Sequence, residues 1–442
     1  MVSFEQTTVL MINKILTFFL GLAMSMAAFS QNRVKIIDDS HEALQIRLDL
    51  IRKAETEILI STYIFTQDSI AKFFLSELQI AAERGVKVKV LIDGLNKYFR
   101  PKVLKYLNRL GIEVHYYNVF KGFNLGKFTK YRLHSKIFLT DNKYAIIGGR
   151  NMGSEYYGFN HRNFRDRDIL INGPDVNEIR KVFFEFYHSG LISKSKQWPF
   201  FTCLKSKKQC AKRDTRLFHD LFSVNQAIIE REILTDATEC LWQNEFIEVD
   251  SFALSYDKPG LNKYSSGTVA KDLISTLAAA KDTVIIQSPY LILTDELYHL
   301  LYGLSKMNTE IKILTNSNLS TDGILAQSAY INGREEIFEM GVKLYEFRGL
   351  ERFHSKSMIV DDISLVGSMN IDPRSLNLNK EIAAFIKGHS FKTALQKSMA
   401  NDFLSSTQLT KENEPIRSPK LIRRIFVNSL RYFIVPRINP FL

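Results

Sequence analysis

His134-Ser-Lys-Ile-Phe-Leu-Thr-Asp141 and His354-Ser-Lys-Ser-Met-Ile-Val-Asp361 are the two stretches on which the reading of this 442-residue chain turns. After each comes a short apolar run, then Gly148-Gly-Arg-Asn151 in one case and Gly367-Ser-Met-Asn370 in the other. Composition alone supplies one HxKxxxxD in a chain of this size about 3% of the time. Two of them, each with its own Gly-x-x-Asn and at matching places, mark an internal duplication.

In an extended segment, residues i and i+2 share a face. His134 therefore projects with Lys136, and His354 with Lys356, while Ser135 and Ile137 face the other way. Asp141 and Asp361 complete the candidate catalytic set by motif, yet they fall at a strand end, where the expected role is to hold the turn or a basic neighbour. Gly149 and Ser368 are the expected substrate-binding positions, where backbone can approach closely, and Asn151 and Asn370 offer amide donors. Two such halves face to face would gather two His, two Lys and two Asn in one cationic cavity suited to a phosphodiester.

Two imidazoles suit a two-step displacement, one attacking phosphorus and the other serving first as acid and then as base. Each imidazole needs an orienting acceptor on its other nitrogen. Asp168, in Arg165-Asp-Arg-Asp168-Ile-Leu-Ile, and Glu381, in Asn379-Lys-Glu381-Ile-Ala-Ala-Phe, are expected to supply it. The lysines would neutralise the nonbridging oxygens, so the chemistry requires no metal and no cofactor. Tyr63 and Tyr290 close equivalent strands and are read as core-edge aromatics.

The flanking sequence repeats as well. Glu57–Tyr63 and Thr283–Tyr290 are β-rich runs, each preceded by a helical pattern (Ala43 to Ala54; Thr268 to Ala280) and followed by another amphipathic helix. Second and third strands follow: Val86 to Ile92 and Ile112 to Tyr117, then Glu310 to Leu314 and Val342 to Phe347. Strand–helix–strand order predicts an α/β fold of two halves, residues 33–195 and 245–405, with mixed, mainly parallel sheets facing each other across one active site.

Three segments stand outside the repeat. Residues 1–30 carry Lys14, an apolar run from Ile15 to Phe29 and a small-x-small ending at Ser30, the order of a secretory signal peptide; the body is expected to be exported and peripherally membrane-associated. The inter-half segment 196–244 is basic around Trp198-Pro-Phe-Phe201. In the tail, 406–442, the stretch from Arg417 to Leu442 carries six basic residues and no acidic one, with apolar residues at helical spacing. That tail suits either an anionic bilayer or docking on the domain. Lys+Arg exceed Asp+Glu by 59 to 47, a net +12 that points to an anionic partner, either a phospholipid surface or nucleic acid. Of three cysteines, Cys203 and Cys210 could close a small loop while Cys240 is left over, so a disulfide-stapled scaffold is excluded.

The paired motifs resemble those of the phospholipase D superfamily, and the resemblance covers nearly all of residues 33–405. Within it, Gly367-Ser-Met-Asn-Ile-Asp-Pro-Arg-Ser-Leu-Asn-Leu-Asn-Lys-Glu381 is similar to the GSxNxDxRSxxxNxE pattern of bacterial cardiolipin synthases. Gly149–Gly158, Thr315-Asn-Ser317 and Thr321-Asp322 are similar to a subgroup of them. The resemblance implies a duplicated phospholipase D-like fold and a metal-independent phosphohistidine route through His134, Lys136, Asn151, His354, Lys356 and Asn370. It also implies transfer of a phosphatidyl group to an alcohol, with His134 as nucleophile. Hydrolytic phospholipase D and secreted nuclease chemistry use the same constellation and stay open as alternatives. Three departures stand out: Gly149 replaces the usual Ser, the second motif has one residue fewer between its Asp and its Gly, and a signal peptide stands in place of spanning anchors.

Overall fold

The computed structural model describes residues 31–96, 99, 101–120, 129–193 and 241–410. The expected signal peptide, the three cysteines, the aromatic-basic run around Trp198 and the tail beyond residue 410 lie outside the described residues.

The first half supplies β1 (Arg33–Ile37), β2 (Glu57–Thr62), β3 (Lys87–Asp93), β4 (Ile112–Tyr117), β5 (Ile137–Thr140), β6 (Tyr144–Gly148), β7 (Phe164–Arg165), β8 (Asp168–Asn172) and β9 (Ile192–Ser193). After β10 (Ile247–Glu248), the second half supplies β11 (Ser251–Tyr256), β12 (Thr283–Gln287), β13 (Glu310–Asn316), β14 (Lys343–Phe347), β15 (Arg352–Phe353), β16 (Ser357–Val360), β17 (Ile363–Gly367), β18 (Ile382–Lys387) and β19 (Ser406–Gln408). The sheets run β10-β1-β8-β6-β5-β2-β3-β4-β9 and β11-β18-β17-β16-β12-β13-β14-β19. Their seven central strands correspond one to one, which is the duplication in three dimensions. Two edge strands cross the expected boundaries: β10 pairs with β1 of the first half, and β19 pairs with β14 of the second.

The sheets are mixed, but mainly antiparallel rather than mainly parallel. While β7 and β15 form a separate two-stranded parallel pair between the halves, within these two sheets only β2-β3-β4 and β12-β13-β14 pair in parallel. Those are the strands joined by helical crossovers, the only connections that a βαβ pattern describes. The motif strands β5 and β16 instead return antiparallel on β2 and β12, and their hairpin partners β6 and β17 continue the antiparallel series.

Burial on both faces of each sheet sets the layers. Ile137, Leu139, Ala145, Ile147, Ile169 and Ile171 join Ile359, Val366, Ile382, Ala384 and Ile386 in one core shared by both halves. The opposite faces take separate helical covers. The helix Ser40–Lys53 is one, held at its start by the Asp39 side chain, which accepts from Glu42 N at 2.8 Å, and carrying Arg52 and Lys53 in its last turn. Its apolar face, including Leu44, Leu48 and Ile51, packs with Ile58, Ile60 and Phe138 of the first sheet.

Candidate active site

Each histidine segment is stitched to the other half. His134 N and Ser135 N donate to Lys380 O at 3.0 and 2.7 Å, and His354 N donates to Arg165 O at 2.8 Å. The HxK stretches lie just ahead of the ladders, since β5 begins at Ile137 and β16 at Ser357. Their approach is fixed from below by one position in each half. The Asp93 carboxylate accepts from Leu133 N at 2.8 Å, and Asn316 Oδ1 accepts from Phe353 N at 3.2 Å. In the first half that acid is also gripped by Arg132, fully buried, whose Nη2 donates to it at 2.6 Å.

Both imidazoles are held through Nδ1 by a carboxylate from the opposite half. His134 Nδ1 lies 2.9 Å from Glu381 Oε2, as expected, and His354 Nδ1 lies 2.6 Å from Asp166 Oδ2. The expectation for Asp168 fails. Its carboxylate accepts from Arg47 Nη2 at 2.7 Å and Arg150 Nη1 at 3.2 Å, a buried structural cage. Register explains the displacement. Gly148 pairs with Asp168 and Gly367 with Ala383, so Asp168 corresponds to Ala383, and Glu381 corresponds to Asp166, two residues earlier.

Gly149 and Ser368 serve these acids rather than substrate. Ser368, fully buried, donates its hydroxyl to Glu381 Oε2 at 2.5 Å. At Gly149 a Cβ would lie 2.1 Å from Asp166 Oδ1, so the shorter acid occupies the space that a side chain would need. Asp166 Oδ1 takes the Arg167 N–H at 2.8 Å instead of a serine hydroxyl.

Lys136 and Lys356 fold back on the same face as their histidines, each donating to its own histidine's carbonyl. Lys356 Nζ is also 2.9 Å from His354 Nδ1. Burial lowers both lysines, Lys136 to about 7. Burial also lowers His134, to about 4, and outweighs the opposing pull of Glu381; it lowers His354 too, with the Lys356 charge adding to it. Burial would raise the two acids, but His354 and Lys356 hold Asp166 well below the usual carboxylate range, and His134 and Lys136 hold Glu381 low. The resting site thus presents neutral imidazoles between fixed carboxylates and buried lysines, with each Nδ1 occupied and Nε2 left for chemistry.

The asparagines differ. Asn151 is committed: its Oδ1 accepts from Ile64 N at 3.1 Å and its Nδ2 donates to Tyr156 OH at 2.8 Å. Asn370, just 4% exposed, has no partner for its Oδ1 among the described residues. Asp141 and Asp361 are removed from the catalytic set. Asp141 accepts from Glu55, Thr56 and Glu57 N–H groups at 2.7–3.1 Å, and Asp361 from Lys281, Asp282 and Thr283 at 2.7–2.9 Å. Both sit in positive-φ turns at the far ends of β5 and β16, roughly 17 Å along the strand from each lysine. The one-residue difference between the motifs is absorbed there, in a three-residue turn at 141–143 and a two-residue turn at 361–362.

Aromatic walls complete the site. Tyr63 meets His134 edge-on at 5.2 Å, so it lines the pocket rather than the core edge. Tyr156 and Phe164 lie 5.6 and 4.9 Å from the His354 ring. Tyr290 bonds Asp322 at 2.7 Å; by register it matches Ile64, and Tyr63 matches Pro289. Asp166, Tyr156 and Phe164 escaped the sequence reading. Only Asp166 had a usable signal, as one of two acids in Arg165-Asp-Arg-Asp168.

Residues 48–185 and 273–403 match the family described as "Cardiolipin synthase, PLD-like domain". Cardiolipin synthase 2 of Staphylococcus epidermidis is 25% identical over 393 residues, covering 87% of this chain and 71% of its own length. Cardiolipin synthase C of Escherichia coli is 24% identical over 399 residues, 82% of each chain. An uncharacterised Helicobacter pylori protein is 29% identical over 409 residues, 85% of this chain and 80% of its own. In fold, the chain is similar to the phosphatidylserine synthase of Haemophilus influenzae, with a TM-score of 0.69 over 93% of this chain and 97% of that one at 16% identity.

Proposed function

Because the chain belongs to the cardiolipin synthase, phospholipase D-like family, we propose that it moves a phosphatidyl group from one anionic phospholipid to a headgroup hydroxyl of another, at a membrane surface after export. The observation that carries this reading is the pair of imidazoles, each tied through Nδ1 to a carboxylate of the opposite half and flanked by a buried lysine.

In the first step His134 Nε2 attacks phosphorus, a P–N bond forms, and the P–O bond to the departing alcohol breaks. His354, protonated once the phosphodiester is bound, gives its proton to that oxygen. In the second step neutral His354 takes the proton of the acceptor hydroxyl, whose oxygen attacks phosphorus while the P–N bond breaks and His134 is restored. Glu381 and Asp166 fix the tautomers and stabilise whichever ring is cationic. Lys136 and Lys356 neutralise the charge that develops on the nonbridging oxygens, with the side-chain N–H of Asn370 as a further donor.

Mass spectrometry of products from phosphatidylglycerol vesicles in EDTA tests the reading. Cardiolipin together with glycerol is expected, and both should vanish in His134→Ala and His354→Ala. Phosphatidic acid alone would assign a hydrolase, and robust turnover in either variant would sink the two-histidine mechanism.

A further inference from the structure

Among the described residues, nine large hydrophobic side chains are exposed, and their distribution is uneven. Leu350, Tyr264 and Leu404 are 94, 86 and 84% exposed, and all three lie at the histidine-bearing end of the molecule. Leu350 sits four residues before His354. Leu404 adjoins it, because Arg348 N donates to Ser405 O at 2.9 Å. Tyr264 is carried by the loop that Lys380 clamps through Ser265 O and Ser266 Oγ, beside the Leu133–Lys380 bridge that leads into His134. Leu95, 46% exposed, follows β3; its neighbour Asn96 donates to Tyr63 O, and Tyr63 lies on His134. Apolar groups therefore ring both flanks of the cleft. By contrast Met307, 71% exposed, closes the helix Asp295–Lys306 at the opposite end of the sheet.

Single exposed apolar residues need no explanation; a rim of them around one opening does. The same loops carry Lys258, Arg348 and Arg352, so the rim combines leucine and tyrosine with cations, the composition that suits the headgroup layer of an anionic bilayer. No helix among the described residues is long and apolar enough to cross a membrane. We propose that the rim formed by Leu350, Leu404, Tyr264 and Leu95 docks into an anionic phospholipid surface, placing the cleft mouth against the bilayer so that a lipid phosphodiester reaches the histidines without leaving it. This rests on the lipid-substrate reading above and adds the face that does the docking.

Flotation of the full chain with phosphatidylglycerol/phosphatidylcholine vesicles tests it, beside turnover of monomeric short-chain phosphatidylglycerol in free solution. Leu350→Ser and Leu404→Ser should each weaken vesicle binding about tenfold and leave turnover of the monomeric lipid intact; Met307→Ser, which removes a similar apolar area from the far end, should float as the unaltered chain does. Equal losses in Met307→Ser, undiminished flotation of the two leucine variants, or a change of sedimentation mass without a change of flotation (a contact between copies) would each overturn the docking face. Absence of turnover on every lipid by the unaltered chain would instead count against the proposed reaction.

Discussion

Asp166 of the first half holds the imidazole of His354 of the second at 2.6 Å, and Glu381 returns the relationship to His134 at 2.9 Å. Each half thus lends its acid to the other's histidine. Neither half contains an oriented imidazole by itself, so the interface between halves and the catalytic geometry are one construction. Arg167 reinforces it from beside Asp166, fully buried and bonded to Gln287 at 2.8 Å, Ser357 at 2.7 Å and Asp402 at 3.0 Å of the opposite half.

Asp166 and Asp168, two residues apart, should separate cleanly. Asp166→Asn is expected to lower kcat by about a hundredfold or more with a modest change in stability, by analogy with loss of other imidazole-orienting groups. Asp168→Asn leaves Arg47 and Arg150 without their shared carboxylate and should cost about 3–5 kcal/mol of stability. Steady-state kinetics beside denaturant unfolding of both variants checks this; the reverse pattern would restore Asp168 as the orienting acid.

Gly149→Ser installs in the first motif the residue that the second motif carries as Ser368, and here it should be harmful. Its Cβ would stand 2.1 Å from Asp166 Oδ1, and the carboxylate must move off His354 to admit it. At least a tenfold fall in kcat is expected, about what losing an orienting group costs. Activity equal to the unaltered chain would show that Asp166 has room to adjust.

The motif aspartates should prove structural. Burial alone would raise Asp141, but the backbone donors of Thr56, Glu55 and Glu57 hold it below its usual range. Its contribution to stability is therefore present above the unfolded carboxyl pKa and fades as pH falls through the lower folded value. Asp141→Ala is expected to cost about 1–2 kcal/mol while leaving kcat per folded molecule within about twofold. Thermal unfolding and active-site-normalised rates decide it.

Activity should follow a bell against pH. Attack requires neutral His134, whose fraction grows as pH rises through about 4, and a charged Lys136, whose fraction falls as pH rises through about 7. kcat/KM is expected to show both limbs, and kcat an alkaline limb displaced upward because a bound phosphodiester favours the ammonium. Lys136→Arg, charged at any accessible pH, should move the alkaline limb upward. A limb unmoved in that variant belongs to another group.

Much of the site could be read from spacing, and the limits have a physical cause. A two-residue period put His134 beside Lys136, and a motif recurring in a repeat put His354 opposite. The same period made Asp166 and Asp168 indistinguishable, because residues two apart share a face and only the pairing of Gly148 with Asp168 sets the register. The antiparallel majority was hidden for a related reason: βαβ crossovers leave a local pattern, whereas the insertion of β5 and β6 between β2 and β8 does not. Gly149 carried its meaning only against a carboxylate that arrives seventeen residues later. Tyr63, read as a core-edge aromatic, was separable from one only by the His134 ring it meets.

Covalent trapping tests the central claim most directly. Phosphatidylglycerol labelled in its phosphate is mixed with the enzyme, quenched during turnover in alkali, and the labelled peptide sequenced. The two-histidine mechanism predicts an alkali-stable, acid-labile adduct on His134, absent from His134→Ala and formed far more slowly in His354→Ala. An enzyme that turns over yet carries no label on His134 or His354 would contradict it.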